Sequence, residues 1–247
     1  MIQQISKTES SSLILPQCAL VTGAQGGIGK AIVKKLSSYG VKIIALDINS
    51  GQIEVDETQT IEQIKCDLTD LEQINQVWSH LLEGGIKVDC LINNAGIYQA
   101  IGWDDYNIEL VHKVINTNLI GVFMMSQSFA RQTKYGTVIN ISSVAAFSGS
   151  GDPIYGASKA GVIGLTKSMA LTLAPGIRVN AIAPSIVNTS MKDKIPPEIL
   201  KRYSQRELIP LGIEPEGIAD AVLFLASSLS QNVTGSTSDV NNGVYLR

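Results

Sequence analysis

Short apolar runs alternate with stretches of helical periodicity along almost all of this 247-residue chain, and that rhythm leaves few folds open. The runs are CALVTG (18–23), VKIIALD (41–47), IEQIKCD (61–67), VDCLINNAG (88–96), GTVINIS (136–142), IRVNAIAP (177–184) and a last one near 236–240. Ile28, Ile32, Val33 and Leu36 recur at helical spacing after the first run, and Gly40 closes that helix. Further helices are expected over roughly 70–83, 105–132, 153–173 and 214–228. Strand, helix, strand in succession predicts a parallel sheet with right-handed crossovers and helices on both faces. Segment 48–60 is polar and too short for a covering helix. No linker or repeat divides the chain. Residues 1–15 read as a flexible tail and 16–247 as one α/β domain with a doubly wound parallel sheet of about seven strands.

The turn between the first strand and the first helix is VTGAQGGIGKA, with Gly23, Gly27 and Gly29. In a Rossmann-type βα unit the first glycine permits the tight turn. The second lets backbone N–H groups approach a pyrophosphate, and the third lets the helix pack closely. Gln25 and Ile28 belong to the same turn. Asp47 ends the second strand 18 residues after Gly29, where a carboxylate can accept from adenosine ribose hydroxyls and repel a 2′-phosphate. No Lys or Arg lies within 22–29, so NAD(H) is expected in preference to NADP(H). Asp67, followed by Leu68, either meets the adenine or caps the next helix.

Composition narrows the partners. A net charge of −3 gives no basic footprint, so neither nucleic acid nor a membrane is expected. The first residues lack a signal core and the uninterrupted apolar runs fall short of a membrane span, which makes the cytoplasm the expected compartment. Cys18, Cys66 and Cys90 have no metal-ligand spacing and each sits in an apolar run, so buried reduced thiols and no metal site are expected. His80 and His112 fall on expected helices with no evident partner.

In order along the chain stand TGAQGGIG (22–29), NNAG (93–96), NTNLIG (116–121), VINISS (138–143), YGASK (155–159) and RVNAIAP (178–184). With these motifs the sequence resembles the short-chain dehydrogenases/reductases from Cys18 nearly to its end. The resemblance implies Tyr155 as acid/base, Lys159 as its activator and Ser143 as the hydroxyl on the substrate oxygen, with Ser142 beside it. It implies that Asn118 interrupts the long helix and holds a relay water. Asn93 and its neighbours Ala95 and Gly96 would line the cofactor ribose. Ile182, Pro184 and Val187 would frame the nicotinamide, with Thr189 near its carboxamide. Ser185 stands where the family usually has glycine, and SDVNNG (238–243) where relatives often carry paired glycines. The family commonly forms tetramers through two long helices, so a homotetramer or homodimer is expected.

Tyr155 and Lys159 are four residues apart, one helical turn, and so share a face. An ammonium about 5 Å from a phenolate stabilises it by about 3 kcal/mol at an effective dielectric of about 20, roughly two pKa units. The expected activity is interconversion of a small secondary alcohol and a ketone. The rivals are a 3-oxoacyl-carrier-protein reductase, a dihydro-dihydroxybenzoate-type diol dehydrogenase and a non-catalytic dinucleotide sensor. Substrate identity should lie in a loop at about 185–212, in 144–154 and beside Tyr98. Lys192, Lys194, Lys201, Arg202 and Arg206 make that loop basic, as an anion subsite or simply as a solvated helix.

Overall fold

The computed structural model describes residues 13–54 and 59–247. Seven strands form one all-parallel sheet in the order β3-β2-β1-β4-β5-β6-β7. They are β1 (Cys18–Thr22), β2 (Lys42–Asp47), β3 (Ile61–Lys65), β4 (Cys90–Asn93), β5 (Gly136–Ile141), β6 (Ile177–Pro184) and β7 (Thr237–Val240). The helices are α1 (Gly27–Ser38), α2 (Leu71–Glu83), α3 (Ile108–Ile115), α4 (Gly121–Gln132), α5 (Ala145–Ser148), α6 (Pro153–Leu173), α7 (Pro197–Ser204) and α8 (Pro215–Ala226). The doubly wound sheet and its strands are therefore as expected. The short helices α5 and α7 were not among the expected ones.

Both faces of the sheet are covered because strand side chains alternate. Ala19 and Val21 of β1, with Ile43, Ile92, Ile139 and Ile182, meet Ile32, Val33 and Leu36 of α1 and Ile218, Val222 and Leu225 of α8. Leu20, Ile44, Leu91, Val138 and Val179 face the other way, onto Trp78 and Leu81 of α2, Met125 and Phe129 of α4 and Met169 of α6. Ile182 thus belongs to the core and does not frame a ligand, contrary to expectation: its place on β6 turns it toward α8. Arg178, partly buried on the same strand, donates to the carbonyls of Leu225, Ser230 and Val233 and ties the last crossover to the sheet.

Helix starts carry local signals. Asp70 accepts from the N–H groups of Glu72 and Gln73 at 2.9 and 3.2 Å, and Asn107 accepts from Leu110 at 2.9 Å. Between α3 and α4 the chain makes a π turn over Asn116–Ile120. The stretch Ile108–Gln132 is long and apolar enough to cross a membrane by length and composition, yet here Val114, Val122, Met125 and Phe129 are buried inside the fold.

Three details differ from expectation. Of the expected tail, residues 1–12 lie outside the described residues, but Ile14 exchanges hydrogen bonds with Ser228 and Leu15 packs against the core. Cys66 follows β3 and lies outside the strand, although all three thiols are free and buried, which pushes those of Cys18 and Cys66 up to about 11. His80 does have a partner: its Nε2 lies 2.7 Å from Oε1 of Glu62. Within 48–60, residues 48–54 are without helix, as expected, and 55–58 lie outside the described residues.

Phe129 is fully buried, its ring centroid 6.3 Å from that of Trp78. Phe129→Ala should lower unfolding free energy by about 3–5 kcal/mol, measured by chemical denaturation.

Candidate active site

The carboxyl ends of the strands open onto one cavity of about 780 Å³. It runs from the glycine turn, past Asp47 and Asp67, to Tyr98, Ser143, Tyr155 and Lys159. It sits where the sheet's winding reverses, between β1 and β4, the place where open parallel sheets bind ligands.

At the nucleotide end, Gly23 adopts φ +64°, and a Cβ there would come within 2.7 Å of Ala95 Cα. The turn and the end of β4 are further tied by Thr22, whose hydroxyl oxygen accepts from the N–H groups of Asn94 and Ala95, each at 3.1 Å. The Asn94 amide donates back to the carbonyls of Thr22 and Gly23. A Cβ on Gly27 would meet Thr189 Cγ2 at 2.5 Å, so this glycine also lets the loop after β6 close over the turn. A Cβ on Gly29 would collide with the Gly23 carbonyl and Ala24, so the close packing is to the turn itself and not to the sheet. Backbone bare of side chains, at a helix N-terminus, is what a pyrophosphate needs. A dinucleotide therefore fits this cavity.

Asp47 accepts from the backbone of Gln25 and of Asn49, each at 2.9 Å, which fixes its carboxylate at the cavity edge. The Gln25 side chain turns outward to Gly51 and Gln63. Asp67 accepts from the backbone and hydroxyl of Thr69, and the cap of α2 is Asp70, so capping is not its role. Ile28, Leu68, Ala95, Gly96, Pro184, Val187 and Thr189 line the cavity. Asn93 does not. It ends β4 pointing into the core, where its amide donates to Ser126 and Asn140, and Asn94 takes its expected place.

At the other end, the Ser143 hydroxyl lies next to that of Tyr155 and accepts from the N–H of Ala145 at 3.1 Å. Ser142 turns away and donates to the Lys159 carbonyl at 2.8 Å, which leaves Ser143 as the serine that reaches the phenol. Lys159, 4% exposed, has its Nζ 2.8 Å from the Ile141 carbonyl and 5.8 Å from the Tyr155 ring centroid. Asn118 sits behind the cavity wall. Its amide grips the Ile97 backbone, accepting from N–H at 2.8 Å and donating to the carbonyl at 3.0 Å, and donates to Ser158. The π turn that carries it does interrupt the long helix.

The charge balance overturns the expected fall in the phenol's pKa. Burial pushes Tyr155 up to about 12, and the neighbouring Ser143 hydroxyl only partly opposes it. Burial brings the Lys159 amine down to about 8. Both shifts follow from removing water around groups that must charge, a cost the Coulomb argument from sequence left out.

Unfolded, the Lys159 amine titrates near its ordinary 10.5; folded, near 8. Below pH 8 both states are protonated and the folded chain bears the burial cost in full. Between pH 8 and 10.5 only the unfolded chain keeps the proton, so this group makes stability rise with pH. Over that window the stability advantage of Lys159→Met over the parent should shrink by about 3 kcal/mol, measured by denaturant titration without cofactor at several pH values.

Residues 17–199 match the family model for short chain dehydrogenases. The chain is 34% identical over 241 residues to a 3-oxoacyl-acyl-carrier-protein reductase of Aquifex aeolicus, covering 92% of this chain and 96% of that one. It is 37% identical over 240 residues to the enzyme of the same name from Thermotoga maritima, covering 92% and 97%. Among solved structures it is similar to an aldohexose dehydrogenase of Thermoplasma acidophilum (31% identity, TM-score 0.82, 94% of each chain). It is also similar to a short-chain dehydrogenase/reductase of Brucella melitensis (27% identity, TM-score 0.86, 94% and 97%). On the sheet, the glycine cradle and these matches together, the chain belongs to the short-chain dehydrogenase/reductase family of nicotinamide-dependent oxidoreductases.

Proposed function

We propose that the protein is an NAD(H)-dependent oxidoreductase that interconverts a secondary alcohol and a ketone, with Tyr155 as acid/base. The observation that carries this reading is the convergence of Ser143, Tyr155 and Lys159 on the cavity that also holds the glycine turn. When bound, the dinucleotide gives or takes the hydride.

In the reducing direction a phenol held protonated is the form required, since it must deliver a proton to the oxygen on which charge develops. Burial keeps Tyr155 in that form. Ser143, already fixed by the Ala145 N–H, donates to the same oxygen and needs no reorganisation as charge grows. In the oxidising direction Tyr155 must accept a proton, and the Lys159 ammonium is the group placed to favour the phenolate. Anchored on the Ile141 carbonyl, that ammonium cannot swing away. Asn118 holds Ile97, and with it the wall next to Gly96, in register with Lys159.

NAD(H) over NADP(H) rests on Asp47, whose carboxylate lines the cavity beside Ile48, Asn49 and Gln25, although Lys65, its register partner on β3, lines the adjoining hollow with it. A 2′-phosphate there would meet a fixed negative charge. A second reading, reduction of 3-oxoacyl thioesters, is favoured by the names of the relatives and by Lys192 and Arg202 at the substrate end of the cavity. Pairing into a homodimer or homotetramer fits Ile120, Phe123 and Leu171, apolar residues exposed along the two long helical stretches.

Activity should be followed by nicotinamide absorbance over a panel of secondary alcohols, ketones and an acetoacetyl thioester with both cofactors. Tyr155→Phe should lower kcat/KM by about 10²–10⁴-fold and leave NADH binding unchanged. Full activity of that variant, or turnover of nothing in the panel by the parent, would contradict the reading. Asp47→Ala should raise the NADPH/NADH rate ratio; no change would remove Asp47 as the selector.

A further inference from the structure

Asp152 is only 1% exposed and forms no ion pair among the described residues. Four donors satisfy it instead. Oδ1 accepts the Tyr106 hydroxyl at 2.5 Å and the Tyr155 N–H at 3.0 Å. Oδ2 accepts the N–H groups of Gln99 and Ala100 at 3.2 and 3.1 Å. The donors come from three segments: the approach to α3, the first turn of α6 and the loop after β4. An N-cap role accounts for one of the four bonds.

The loop it grips is in an unfavourable conformation. Ala100 has φ 61°, a region non-glycine residues avoid, so the loop needs an external restraint to stay there. The same loop carries Tyr98, whose ring meets that of Tyr155 edge-on, centroids 5.0 Å apart at 70°. Tyr98, Ala100, Asp152 and Tyr155 all line the cavity. Resting on the reading of Tyr155 as acid/base, we propose that Asp152 is a positioning residue. Its carboxylate clamps the 97–102 loop to the start of α6, presses Tyr98 against Tyr155 and so shapes the wall a substrate meets.

The clamp needs a carboxylate. Two oxygens with two donors each leave no place for an N–H₂ group. An amide of the same shape must set its nitrogen either against Tyr106 and Tyr155, losing the Tyr155 N–H bond while the Tyr106 hydroxyl turns to accept, or against Gln99 and Ala100, losing both. A serine can cap α6 but cannot span to the loop. Besides its bond to the Tyr106 hydroxyl, Asp152 is close enough for its charge to act on the Tyr98 and Tyr155 phenols, as is Tyr203 of α7. Its negative charge favours the protonated phenol of Tyr155.

The test combines amide hydrogen exchange at Gln99 and Ala100 with NADH-dependent reduction of an acetoacetyl thioester. In Asp152→Ser, which caps α6 but cannot reach the loop, exchange at both amides should quicken at least tenfold, whereas Asp152→Asn should release either these two amides or the Tyr155 N–H. kcat should fall tenfold or more, KM for NADH should stay within twofold, and the high-pH decline of the rate should move to lower pH. Tyr106→Phe keeps cap and charge, so exchange and kcat should change about threefold with no move of the decline. Parent-like exchange and kinetics in Asp152→Ser would reduce the residue to a helix cap and overturn the proposal. If neither Asp152 variant folds, Tyr106→Phe decides, and no change in its exchange or kcat overturns the clamp. Exchange reports on the clamp alone, whether or not the thioester is turned over, whereas activity retained by Tyr155→Phe would sink the functional reading without touching it.

Discussion

Everything at the site depends on β1 pairing in parallel with β2 on one side and β4 on the other. The chain must wind outward in opposite directions from that strand, so the loops leaving β1 and β4 separate and a crevice opens at their carboxyl ends. The crevice would splay without a tie. Thr22, Asn94 and the close approach of Gly23 to Ala95 supply it. The turn that can cradle a pyrophosphate and the strand end leading to Tyr98 are thereby held as one rigid piece.

The other half of the crevice is built from β5 and α6. Ser142 pins α6 to the end of β5 through the Lys159 carbonyl, and Lys159 reaches back to the Ile141 carbonyl. These two bonds run in opposite directions between the same elements, so the face of α6 bearing Tyr155 cannot rotate. The cost is electrostatic. An amine and a phenol are buried together, and burial drives each toward its neutral form.

The sheet, its seven strands and most of the cavity lining were legible in the sequence because they follow from periodicity and from glycines that admit no side chain. What escaped depended on direction or on partners distant in sequence. Asn93 sits beside Asn94 at the end of one strand, and only the pleat decides which faces the crevice. Ile182 fails for the same reason. Asp152, in SGSGDPIYG, reads as an ordinary loop aspartate until Tyr106, Gln99 and Ala100 close around it. The sign of the Tyr155 shift was missed because spacing reveals the neighbouring charge and says nothing about excluded water.

The most direct measurement is a crystal structure of the ternary complex with NAD and a turned-over or competing secondary alcohol. The account predicts the Tyr155 and Ser143 hydroxyls both within hydrogen-bonding distance of one alcohol oxygen, and the nicotinamide C4 facing the carbon that bears it. A nicotinamide ring lying away from Tyr155, or an alcohol oxygen held by neither hydroxyl, would contradict it.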